Sequence, residues 1–237
     1  MGVAAISRGQ DLRRAAADQY QRRTESVFER LRRLIVTLEL EPGTTLNRQE
    51  LQAMFGLSST PLRDALLRLS EEGLVDIVPQ SATRVSRIDI ANARQTQFLR
   101  RALEVEVVKT VCNLAEKQFV DDLREIVERQ RGFAAKRSFQ EFDVADGAFH
   151  GRLFDAAGMS DLYALIRRRS GHVDRIRRLH LPVLGKMQQV IRDHDLIIKA
   201  IAKSKAEDAE RRVRDHLSHS LAYSPKLREK HPSYFAD

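Results

Sequence analysis

Residues 58–85 read SSTPLRDALLRLSEEGLVDIVPQSATRV. Two hydroxyl residues and a threonine precede Pro61. Ser58 or Thr60 is placed to cap a helix, and Pro61 fits the first turn, where its missing N–H costs nothing. Leu62, Ala65, Leu66 and Leu69 then recur at helical spacing, which leaves Arg63 on the outer face. Gly73 ends the helix. Leu74 to Val78 and Thr83 to Ile88 are rich in β-branched residues, and Pro79–Ala82 separates them, so a small hairpin follows.

The flanking residues extend the pattern. Val27, Leu31, Leu34 and Leu38 mark an earlier helix with Thr24 at its start, stopped at Leu40-Glu41-Pro42-Gly43. Asn47 caps a short helix carrying Leu51 and Met54, and Gly56 closes it. Helix, helix, turn, helix, hairpin over residues 21–88 is a winged helix-turn-helix. After Asp89 the chain reads as helices only, at about 90–117, 120–136, 138–157, 160–180, 184–203 and 205–222. The expected fold class is mainly α: an N-terminal winged helix-turn-helix and a C-terminal bundle of about six helices over 89–222. Residues 1–20 read as a flexible arm and 223–237 as a loose tail.

Composition sets outer bounds. The chain has 237 residues, 42% hydrophobic and 31% charged, which suits one or two ordinary domains. No apolar run reaches the roughly 20 residues of a membrane span, and the first residues lack a signal-peptide core. A single cysteine, Cys112, excludes an intrachain disulfide and a Cys-rich zinc site. The expectation is a cytoplasmic, nucleoid-associated protein with no membrane partner. The formal charge is +8. Residues 1–88 hold 13 Lys+Arg against 11 Asp+Glu, and the remainder 28 against 22, so the excess does not single out the winged part. Charge permits a DNA partner without establishing one.

Arrangement says more than charge. A helix beginning near Thr60 fits the major groove of double-stranded DNA. Its N-terminal amides and the hydroxyls of Ser58, Ser59 and Thr60 suit phosphate, and Arg63 reaches a guanine edge or a phosphate. Arg48 opens the preceding helix and can clamp the backbone. Thr83 and Arg84 of the hairpin face the neighbouring groove.

These offsets carry a resemblance. LELEPGTTLNRQELQAMFGLSSTPLRDALLRLSEEGLV is similar to the GntR family of bacterial transcription regulators, through Pro42-Gly43, Leu46, Gly56, Ser58, Thr60, Pro61, Arg63, Glu72 and Gly73. The resemblance implies operator binding. Two positions depart from the family's pattern. Ser59 stands where Arg, a DNA contact, is usual, and Ala82 where Gly is usual at the wing tip. Losing that arginine removes about 1–3 kcal/mol of base discrimination, so an altered operator preference is expected.

In the second half, Phe142, Asp146, Phe149, His150, Leu153 and Ala157 form one stripe, which puts a carboxylate and an imidazole on an apolar face at i, i+4. A carboxylate there needs a cation or donors. His194 lies among Ile191, Ile198 and Ile201, and His216 lies on the stripe of Ala209 and Val213; His219, one turn on, is its alternative. One Asp and three His from three helices suit a divalent ion of the zinc, nickel or manganese class, with positions left for an effector oxygen. The bland alternative is a set of hydrogen-bonded core histidines.

DGAFHGRLF, DHDLIIKAI and DHL resemble the FCD effector domain of the FadR-like GntR subgroup. The resemblance implies that Asp146, His150, His194 and His216 bind metal, that a small carboxylate effector docks there, and that the domain forms a homodimer. RRALE resembles the domain's opening helix, which makes Arg100 a candidate partner for the effector carboxylate. His172, sharing a face with Leu165, Arg169 and Ile176, is a further candidate for the pocket. Met159 stands where Asn is common. The expected function is a metabolite-responsive transcriptional regulator, a repressor released by its ligand. The alternatives are a metal-dependent hydrolase or lyase using the same cluster, or a DNA-binding protein whose histidines are only structural.

Overall fold

The computed structural model describes residues 24–78, 82–114 and 116–237. The expected arm at 1–20 and the hairpin tip at 79–81 lie outside the described residues. The chain divides into two compact units, one ending at Arg87 and the other beginning at Ile88.

The first unit is built on α1 (24–36), α2 (Arg48–Phe55) and α3 (Ser59–Glu71), followed by β1 (Val75–Ile77) and β2 (Thr83–Val85). Asn47 caps α2: its side chain accepts from the amides of Gln49 and Glu50 at 2.9 and 3.4 Å. Gly56 closes α2 with φ 63°, a conformation that charges most side chains a steric penalty. Leu62, Ala65, Leu66 and Leu69 of α3 are buried against Val27, Phe28, Leu31 and Ile35 of α1. Each fully buried leucine contributes about 1.5–3 kcal/mol, so the stripe fixes α3 while its opposite face stays in water. β1 and β2 pair antiparallel with Val75 opposite Val85. Thr45 bridges to Arg84, and the Leu46 amide donates to the Thr83 carbonyl at 2.7 Å, which seats the wing against the start of α2.

The second unit is helical. Its elements are α4 (Ile90–Leu114), α5 (Lys117–Ala135), α6 (Phe139–Ala156), α7 (Ser160–Arg169), α8 (Gly171–His180), α9 (Lys186–Ile201), α10 (Ala206–Ala222) and α11 (Ser224–Lys230), then a 3-10 turn at Pro232–Tyr234. α4 packs on α10, α6 and α8, and α5 packs on α6 and α9. Val108, Val111, Leu123, Phe142, Phe149 and Ile197 fill the core between them. Gly151 lets α7 approach α6: a Cβ there would sit 3.1 Å from the Tyr163 ring, whose hydroxyl donates to the Gly147 carbonyl at 2.6 Å. No described helix is long and apolar enough to cross a membrane.

Two expectations need correction. The helix expected over 160–180 is two, α7 and α8, broken at Ser170, so the bundle has more than six members. The Ser170 hydroxyl lies 3.0 Å from the Arg167 carbonyl and 2.8 Å from the Asp174 carboxylate, and such local bonding competes with the helix ladder. The tail is not loose. Phe235 is buried with Leu227, Ile88, Val173 and Ile176, and its segment pairs with Ile88 through Ile88 N–H to Tyr234 O and Ala236 N–H to Ile88 O.

Candidate metal centre and nucleic-acid interface

α6 contributes Asp146 and His150 one turn apart, α9 contributes His194, and α10 contributes His216. All four are buried, and one ligand atom from each lies within 4.8 Å of the others. The spacing is not that of hydrogen bonding. Asp146 Oδ1 is 3.7 Å from His194 Nε2, and Asp146 Oδ2 is 3.7 Å from His150 Nε2. Asp146 Oδ1, His150 Nε2 and His194 Nε2 are all buried without a hydrogen-bond partner. Unpartnered buried polar atoms are rare, and three facing one another call for a cation.

Each ring places its Nδ1 near an acceptor oxygen, for His150 as a close contact to Glu104 without hydrogen-bond geometry. His150 Nδ1 lies 2.7 Å from Glu104 Oε2, His194 Nδ1 lies 2.9 Å from Gln130 Oε1, and His216 Nδ1 lies 3.3 Å from Asp193 Oδ2. An acceptor at Nδ1 fixes the ring and leaves the Nε2 lone pair for a metal. Phe149 stacks on His194 at 3.8 Å between centroids. Burial pushes the His150 pKa down to about 4, with Glu104 opposing, and pushes His194 well below its ordinary value. Burial alone would raise the Asp146 carboxyl, but Arg177 and the three histidines outweigh it and hold it well below the carboxylate range. Neutral imidazoles and an ionised carboxylate are the forms a divalent ion requires, so the residues fit one.

A pocket opens beside this cluster, lined among others by Arg100, Asp146, Arg177, His180, Lys186 and His216. Its free volume is about 20 Å³, so a ligand enters only if the walls part. Arg100 is where the sequence suggested, but it is engaged: its Nε donates to Glu104 Oε1. His172 is placed elsewhere. Its Nδ1 accepts from the Asp89 amide at 3.0 Å and lies 3.0 Å from an Arg175 nitrogen, and it is absent from the pocket lining. His219 is exposed and sits 3.1 Å from Gln189, so His216 is the inward histidine of the pair.

In the first unit, Ser58, Ser59 and Thr60 are exposed at the start of α3, and Ser58 makes no side-chain cap bond. The Arg63 side chain is 66% exposed and lies 3.6 Å from the Asp64 carboxylate. A groove is lined by Arg48, Gln52, Ser59, Thr60 and Arg63, and a depression at the wing base by Asn47, Arg48, Ala82 and Thr83. Arg48 belongs to both. Thr83 is buried rather than outward, and its hydroxyl accepts from Arg48 Nη2 at 3.3 Å. It therefore aims Arg48, while Arg84 is the exposed residue of β2.

Residues 23–85 match the model of the bacterial regulatory proteins of the gntR family, and residues 95–219 match the FCD domain. The chain belongs to the GntR family. It is 32% identical over 210 residues to an uncharacterized HTH-type transcriptional regulator in an unstable DNA locus of Streptomyces ambofaciens, covering 89% of this chain and 88% of that one. Identity is 26% over 213 residues to the HTH-type transcriptional repressor RspR of Escherichia coli, covering 90% and 93%. The fold is shared with Escherichia coli McbR/YncC at a TM-score of 0.73 and 20% identity, over 86% of this chain and 98% of that one.

This GntR regulator presents its departure Ser59 in the groove beside Thr60 and Arg63, and Ala82 in the wing-base depression beside Thr83. Glu104, Gln130, Asp193, His180 and Lys186 were missed by sequence reasoning. Gln130 had a signal: it lies on the α5 stripe of Leu123, Val127 and Ala134 and is fully buried. Arg177 stands in the arginine run of 167–178, which reads first as solvated surface and second as a source of one or two anion-pocket or dimer contacts, without saying which.

Proposed function

We propose that this GntR regulator is a repressor released by a small carboxylic acid bound beside a divalent metal ion. The observation that carries the reading is the set of three buried, unpartnered ligand atoms on Asp146, His150 and His194, beside a pocket that Asp146 and His216 line together with three cationic side chains. Asp146, His150, His194 and His216 would hold the ion, of the zinc, nickel or manganese class, which supplies Lewis-acid attraction for an effector carboxylate. Glu104, Gln130 and Asp193 orient the imidazoles. Arg177 bonds the outer oxygen of Asp146 and keeps the carboxylate ionised.

On the DNA side, Arg63 reaches base edges or phosphate from one turn into α3, Ser58, Ser59 and Thr60 offer hydroxyls, and Arg48 and Arg84 grip the backbone. A homodimer would set two α3 helices on a near-palindromic operator. Its place is the cytoplasm, at the nucleoid. The effector regulates only if its affinity differs between the operator-competent state and another. The hydrolase reading gains nothing from the relatives, whose names are those of regulators. The purely structural reading leaves the three unpartnered atoms unexplained.

The test is an operator shift assay with metal-replete protein and a panel of carboxylic acids. Wild-type protein shifts the operator, one class of acid releases it, and Arg63→Ala weakens the shift at every salt concentration. Absence of any shift at low salt sinks the reading.

A further inference from the structure

The pocket's cations are not equivalent. Arg100 is neutralised by Glu104, both nearly or fully buried. Arg177 is engaged by Asp146 and, at 3.2 Å, by Asp143. Lys186, at the first turn of α9, forms no ion pair among the described residues; its Nζ donates to the neutral Gln189 Oε1 at a long 3.3 Å. Asp193, the carboxylate whose field favours the Lys186 charge, lies 3.3 Å from His216 and 3.7 Å from His219 instead.

His180, at the end of α8, lines the same pocket. It is 8% exposed, and its Nδ1 has no hydrogen-bond partner. Its ring is held flat on Tyr223, 4.5 Å between centroids and 3° between planes, so it cannot turn away to find one. A half-buried ammonium with no ion pair among the described residues and an imidazole whose Nδ1 has no partner therefore line the same pocket. Asp146 and His216 line the same pocket on the side of the four-residue cluster. Leaving such groups unsatisfied is costly, and an anion between them would form charge-assisted bonds.

We propose that Lys186 and His180 form a second anion subsite, so that the effector is a small dicarboxylate, one carboxylate directed to the Asp146/His cluster and the other to Lys186 and His180. The inference rests on the proposed carboxylate response and narrows its ligand class. A monocarboxylate of the same length leaves Lys186 and His180 unpaired inside the closed pocket, which is how a polar site rejects an analogue lacking its partner.

Isothermal titration of full-length, metal-loaded protein with acids matched in chain length tests this: propionate against malonate, and butyrate against succinate. At least one diacid binds about tenfold or more tightly than its monoacid. Lys186→Met removes that preference, and His180→Phe, which keeps the stack on Tyr223, reduces it. Metal content measured in parallel reports that each variant is folded around an intact cluster. Equal affinity for monoacids and diacids in the wild type, or a preference that survives both substitutions, overturns the subsite and leaves the carboxylate reading standing. Metal retention with no binding of any acid overturns both.

Discussion

Gln130 is the residue that best separates a metal centre from a cluster of packed histidines. It is fully buried on the apolar stripe of α5, and its Oε1 holds His194 Nδ1 at 2.9 Å. If it serves only packing, Gln130→Leu is mild. If it sets the tautomer and aim of a ligand, the substitution lowers metal affinity by about 10–100-fold, read by competition against a chromophoric chelator while helicity stays unchanged. Unaltered affinity would remove the orienting role. The four cluster residues were legible because a polar residue on an apolar stripe stands out: Asp146 and His150 on one face, His194 among isoleucines, His216 beside Val213. Glu104 and Arg177 were not. Each carries a charge in a charged stretch, and sequence alone does not separate a solvated charge from a buried, paired one. Thr83 was misplaced for the same kind of reason: alternation in a three-residue strand does not say which face the wing turns to the protein.

Among elements, α11 and the turn after it changed most between sequence and structure. LREKHPSYFAD looked loose because Leu227, Tyr234 and Phe235 are separated by charged residues and match neither helical nor strand period. Their partners are distant in sequence: Ile88, and Val173 and Ile176 of α8. Long-range burial of this kind leaves no local pattern. Phe235 is 2% exposed, and its removal creates a cavity in that cluster. Phe235→Ala is expected to destabilise the helical unit by about 3–5 kcal/mol, seen as a lower midpoint in chemical denaturation followed by circular dichroism. A change below about 0.5 kcal/mol, as at ordinary surface positions, would mean that the tail does not pack in solution. The helices α4–α6, α9 and α10 were legible within a few residues because each repeats an apolar stripe. The break between α7 and α8 was not, since Ser170-Gly171 carries no proline and both pieces continue the same arginine-rich face.

At the scale of the whole molecule, the sequence already separates the two units by chemistry. All seven histidines lie at or beyond position 150, so the winged unit has none. Within the helical unit, the His150 pKa is pushed down to about 4 and that of His194 well below its ordinary value, both chiefly by burial. In the unfolded chain these groups titrate near 6.5. Between roughly pH 6.5 and pH 4 the unfolded state therefore binds protons that the folded state refuses. Stability rises with pH through that window and is lost as pH falls, because burial outweighs the Glu104 carboxylate beside His150. For His150 alone the loss at pH 5 is about 2 kcal/mol. The winged unit has no histidine to respond in the same way. Metal-free protein should then show, by hydrogen exchange corrected for intrinsic rates, falling protection in α6 and α9 between pH 7 and pH 5. Peptides from α1 and α3 should keep theirs. Metal at a hundredfold excess over its dissociation constant adds about 2.7 kcal/mol at neutral pH and should raise protection in the same α6 and α9 peptides. An equal pH response in both units would place the acid-labile groups outside the histidine cluster, and protection in α6 and α9 that ignores metal would remove the ion from the centre.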